Sequence, residues 1–126
     1  MKYYLKALRN FANFSGRARR KEYWYFVLFS FIFGLGIIII PVTLEMHGDI
    51  FPVLFVILFL LYVLAVIIAG LAVAVRRLHD VGNSGCSLLL LSLIPIIGPI
   101  WLFVLLVTDS EAGENKYGEN PKGIAV

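Results

Sequence analysis

Two long stretches of the chain contain no Asp, Glu, Lys, Arg or His: Tyr23 to Leu44 and Ile50 to Val75. A third, Cys86 to Val107, is equally free of charge but is interrupted by Pro95, Gly98 and Pro99. A helix over 23–44 rises about 33 Å against a hydrocarbon core of about 30 Å, so the pattern predicts membrane-spanning helices over 23–44, 50–75 and 86–107. The third is expected as one span kinked at Pro95/Pro99. A re-entrant hairpin that returns the tail to its side of origin is the other geometry those residues permit. Ahead of the first span, Tyr4, Leu5, Leu8, Phe11 and Ala12 recur at helical spacing, with Lys2, Lys6, Arg9, Asn10 and Asn13 on the other side. This predicts an N-terminal amphipathic interfacial helix, closed by Ser15-Gly16.

Composition agrees with the pattern. Of 126 residues, 60% are hydrophobic and 15% charged, and the mean hydropathy is +0.90. Soluble domains carry about 25% charged residues, so this chain lacks the polar surface to coat a water-soluble globule. The expected fold class is an all-α integral membrane protein, one domain over 1–126. It divides into a basic segment (1–22), spans (23–44, 50–75 and 86–107), a polar loop (76–85) and a polar tail (108–126). A single cysteine, Cys86, excludes an intrachain disulfide or a Cys-rich metal cluster. The first span is longer than a signal-peptide core and has no small-residue cleavage site, so it is expected to stay attached.

Charge sets orientation. Lys2, Lys6, Arg9, Arg17, Arg19, Arg20 and Lys21 precede the first span and Arg76 and Arg77 follow the second, whereas Glu45 to Asp49 has no Lys or Arg. Positive flanks stay cytoplasmic, which places the N-terminus inside and, with three spans, the tail outside. A net charge of +3 is accounted for by that flank, and no nucleic-acid partner is expected.

Three polar motifs flank the spans: Gly16 to Trp24 (GRARRKEYW), Arg76 to Gly85 (RRLHDVGNSG) and Gly113 to Pro121 (GENKYGENP). With Tyr4-Leu5-Lys6 and the Pro95/Gly98 break, they closely resemble the YhaH-like bacterial inner-membrane family, domain of unknown function 805, over nearly the whole chain. The resemblance implies a multi-pass protein of the bacterial inner (plasma) membrane with no established biochemical activity. Where many relatives have paired tryptophans after the Ser-Gly, this chain has Cys86-Ser87.

The residues themselves suggest contacts. Arg17, Arg19, Arg20 and Lys21 stand at headgroup depth above Tyr23 and Trp24, as candidates for contact with anionic lipid or a partner. Glu22 and Asp80 are the only acids among nine cations on that side, so a polar clamp of Glu22, Arg76, Arg77, His79 and Asp80 is expected, with Asp80 meeting Arg17, Arg19 or Arg20. Ser30 and Gly34 on the first span, and Ala65, Ala69 and Ala72 on the second, mark helix packing, within the chain or in a homo-oligomer. The tail reads as a compact turn. No catalytic set, cofactor or metal is expected. The leading functional reading is a non-enzymatic structural, lipid-contacting or partner-binding membrane component. An oligomeric passive channel or transporter subunit, and a membrane-interface enzyme using His79/Asp80 with Ser84 or Cys86, remain the alternatives.

Overall fold

The computed structural model describes residues 1–45, 48 and 50–123; Met46, His47 and Asp49 of the expected first loop, and residues 124–126 of the tail, lie outside the described residues. The chain forms α1 (Lys2–Arg9), α2 (Arg20–Thr43), α3 (Ile50–Asp80), α4 (Cys86–Leu93) and α5 (Ile97–Val107), followed by a 3-10 turn at Pro121–Gly123. Among the described residues there is no strand. Both α2 and α3 are long and apolar enough to cross a membrane, rising about 36 and 46 Å. Their prolines sit near helix ends: Pro52 is in the first turn of α3, where its missing N–H costs nothing, and Pro41 is in the last turn of α2.

The two long helices pack antiparallel, pairing Glu22 with Arg76, Phe26 with Gly70 and Gly34 with Tyr62. A Cβ on Gly34 would stand 3.3 Å from the Tyr62 ring, and Tyr62 hydroxyl donates to the Ser30 carbonyl. Small residues let the backbones approach, as expected of Ser30, Gly34, Ala69 and Ala72. Ala65 departs from that expectation and is exposed. The inward stripe of α3 runs through Tyr62, Val66, Ala69 and Val73, which leaves Ala65 to one side.

α1 is shorter than the predicted interfacial helix, because Asn10 turns its side-chain amide back onto the Lys6 carbonyl and ends it. It lies on the α2–α3 pair. Tyr4 and Ala7 are buried there, with the Tyr4 ring 5.5 to 5.9 Å from those of Phe26, Phe29 and Phe33. Leu5, Leu8 and Phe11 remain exposed.

The third apolar segment is not one kinked helix. α4 and α5 rise about 12 and 16 Å, too short for either to span alone. Between them Ile96 is left-handed (φ +67, ψ −63) and Ile97 N–H donates to the Pro95 carbonyl at 2.8 Å, a γ-turn of the rare positive-φ kind. Gly98 is required here, since a Cβ would fall 1.8 Å from the Leu91 carbonyl oxygen. Two prolines and a tight glycine contact therefore break the segment where a single proline would only bend it. Both ends of this hairpin return to the polar end of α3, so the tail lies against the N-terminal motif, contrary to the expectation that it emerges at the far side.

Candidate functional site

At the end of α3, Gly82 (φ +77) terminates the helix in a Schellman turn, with Gly82 N–H on His79 O and Asn83 N–H on Leu78 O. The turn leaves Asp80 facing inward, fully buried. A buried carboxylate needs partners, and Asp80 has three. Arg17 Nε donates to Oδ1 at 3.0 Å, and Arg77 Nη1 and Ser110 Oγ donate to Oδ2 at 2.5 and 2.6 Å.

Arg17 spends all five of its N–H donors on protein. Besides Asp80 Oδ1, its Nη1 reaches the carbonyls of Gly113 (2.8 Å) and Gly118 (3.2 Å), and its Nη2 those of Asp80 (3.2 Å) and Glu111 (2.7 Å). The expected placement of Arg17 at the lipid headgroups is therefore corrected: with its side chain 1% exposed, it holds the tail to α3. A guanidinium suits the task because its donors form a rigid planar fork.

Arg77 fastens the hairpin. Its Nε donates to Leu106 O at 3.2 Å and its Nη2 to Thr108 O, while Arg20 Nη1 donates to Val107 O at 3.2 Å. The C-terminal carbonyls of α5 thus meet two cations, which complement the helix dipole. Glu22 forms a second buried cluster, with Arg76 Nη1 at 2.6 Å and Lys6 Nζ at 3.3 Å. That cluster is less complete, since Arg76 Nε and Nη2 are buried with no partner among the described residues.

His79 lies flat on Tyr117, ring centroids 3.9 Å apart, and its Nδ1 donates to Gly16 O at 3.0 Å. The Asp80 carboxylate is held by Arg17, Arg77 and Ser110 instead of by His79, so the two do not form a base and its orienter. Asn115 Nδ2 adds bonds to His79 O and Glu111 Oε2. Among the described residues no three His, Cys, Asp or Glu side chains come together as a metal site.

The remaining candidates sit on the rim. Arg19 lies over the Tyr3 ring at 5.3 Å, and Lys21 is exposed with no partner among the described residues. Arg20 pairs with Asp109 at 3.3 Å, which Lys122 also meets at 2.5 Å; the lysine and the Ser110 N–H hold the Asp109 carboxyl below the usual carboxylate range. Tyr23 packs edge-on to Trp24, which touches Phe103 of α5. Sequence reasoning missed Lys6, Ser110, Glu111 and the carbonyls of Gly113 and Gly118. The glycine and asparagine pattern marked the tail as a turn, but nothing in it says where the turn docks.

A family described as "Protein of unknown function (DUF805)" matches residues 11–119. The inner membrane protein YhaI of Escherichia coli (strain K12) is 43% identical over 122 residues, covering 97% of each chain. The inner membrane protein YhaH of the same strain is 40% identical over 124 residues, covering 97% of this chain and 98% of that one. No solved structure matches. On the profile match across its polar motifs and the identity to these two relatives over nearly its full length, the chain belongs to the DUF805 family.

Proposed function

We propose that the protein is a non-enzymatic component of the bacterial inner membrane that crosses the bilayer twice, keeps both termini cytoplasmic, and dips the α4–α5 hairpin into the cytoplasmic leaflet. The observation that carries this reading is how the cations are used. Lys6, Arg17, Arg20, Arg76 and Arg77 serve internal acids and carbonyls, whereas Lys2, Arg9, Arg19 and Lys21 have no acid partner among the described residues. The chemistry those four offer is attraction to a negatively charged leaflet, about 1 kcal/mol each near its surface. Tyr3, Trp24 and Tyr25 stand beside them as interfacial anchors. A pump or ion relay would bury an ionisable group in mid-membrane, and the apolar runs 23–44, 50–75 and 86–107 contain no Asp, Glu, Lys, Arg or His.

The test is a dual reporter fused after the tail. Cytoplasmic fluorescence without periplasmic phosphatase activity is expected. Phosphatase activity there would mean a third crossing, and the reading would fail.

A further inference from the structure

At the end of the α2–α3 pair opposite the basic motifs, beyond the Gly34–Tyr62 contact, a slot of about 460 Å³ lies between the two helices. Ile38, Pro41 and Glu45 line it on one side and Pro52, Phe55 and Val56 on the other, with Phe59 deeper in. It falls within the about 300–1,000 Å³ range of small-ligand sites. From Pro52 to Phe59 the helix rises about 10 Å, which sets the depth of the slot. Among the described residues its one ionisable lining group is the carboxylate of Glu45, just past the last turn of α2. Glu45 is left-handed (φ +48) and its N–H donates to the Val42 carbonyl at 3.3 Å, so the chain turns sharply there and keeps Glu45 beside the helix end.

Charge selects the occupant. From Glu22 to Val75 the sequence has no Lys or Arg, and after Glu22 the only charged residues in that range, with His47 neutral, are Glu45 and Asp49. This end of the pair is therefore negative, and an anionic guest would be repelled. A metal ion such as calcium takes six to eight oxygens, and the slot offers it one carboxylate. A bare hydrocarbon chain gains nothing from that carboxylate. A cation on an apolar body gains from both parts of the site: Glu45 attracts the charge, and Phe55 and Phe59, at i and i+4 on one face of α3, supply rings whose faces also attract cations. A diffuse charge enters such surroundings at a smaller desolvation cost than a compact ammonium.

We propose that the slot binds a lipophilic cation, a quaternary ammonium or phosphonium on an apolar body, with its charge against Glu45 and its body between Pro41 and Phe55. The proposal goes beyond the membrane-component reading and rests on it only for the side to which the slot opens, the periplasmic one.

The experiment is equilibrium dialysis of the full chain, in phosphatidylcholine nanodiscs, against radiolabelled tetraphenylphosphonium, with empty discs subtracted. One saturable site per chain is expected, and none for tetraphenylborate, which has the same shape and the opposite charge. Glu45→Gln is expected to weaken binding at least tenfold, and Val56→Trp, which fills the slot from its exposed wall, to abolish the saturable part, both with unchanged melting. Equal saturation by tetraphenylborate overturns the site, as does binding that ignores Glu45→Gln or Val56→Trp, or a parent chain that binds no more than empty discs. None of these results moves the tail, whose side the fused reporter reads independently.

Discussion

The polar end and the far half of the α2–α3 pair obey opposite rules. At the polar end Glu22, Arg77 and Asp80 are completely buried; at the other, Val42 is 73% and Leu60 60% exposed. In water this would be an inverted protein. In a bilayer the lipid tails are as apolar as Leu, so little is gained by hiding Val42 or Leu60, and specificity moves to where helices meet through small residues or polar bonds. The hub around Asp80 positions the hairpin and the tail, and the Glu22 cluster meets α1 through Lys6, whereas the far half needs only to be apolar and long enough.

The sharpest way to break this comparison is to remove Asp80. Asp80→Ala leaves Arg17 and Arg77 buried with no carboxylate, a loss of about 3–5 kcal/mol for one partner of a buried pair. Leu60→Ala at the lipid-facing half is expected within about 0.5 kcal/mol of the parent. Thermal melting of both variants in detergent decides: equal shifts would mean the polar hub does not govern stability. An intermediate effect is expected at the hairpin. Gly98→Ala drives a Cβ into the Leu91 carbonyl, and overpacking of this kind costs about 1–3 kcal/mol. Unchanged melting would show that α4 and α5 do not approach as described.

The smallest effect concerns Asp109, at the exposed edge of the hub. Its carboxyl is held below the ordinary range by the Lys122 contact and the Ser110 N–H, so it releases its proton more readily folded than unfolded. The stability it contributes is present above the unfolded value of about 3.9 and is lost as pH falls through the lower folded value. Melting should be flat in this respect between pH 8 and 5, and the acid-side decline should be slightly shallower in Asp109→Asn. A decline of the same steepness in both would remove Asp109 from the hub's edge.

Much of this was legible in the residues and some was not, for physical reasons. Charge-free runs mark α2 and α3 because a spanning helix tolerates little else. The scarcity of acids among nine cations pointed to Glu22 and Asp80 as pairing partners. Which arginine would be buried was not legible: Arg17, Arg19 and Arg20 look alike, and the choice is made by Ala18, whose N–H bonds Arg76 O at 2.9 Å and draws Arg17 inward. The hairpin was ambiguous for a similar reason. Pro95 and Pro99 permit either a kink or a reversal, and the outcome depends on Arg77 and Arg20 holding carbonyls 29 and 87 positions along the chain. Such long-range anchoring leaves no mark in local periodicity.

The reach of Arg17 also imposes an order on manufacture. Two of its carbonyl partners lie 96 and 101 positions later, so they leave the ribosome long after α2 and α3 have been made. Until they arrive, Arg17 has only Asp80 to bond, and the donors bound for Glu111, Gly113 and Gly118 must remain in water at the membrane edge. A chain interrupted before residue 111 therefore carries both long apolar helices but an Arg17 whose outer donors have no carbonyl to bond, and the arrival of the tail is the event that satisfies them.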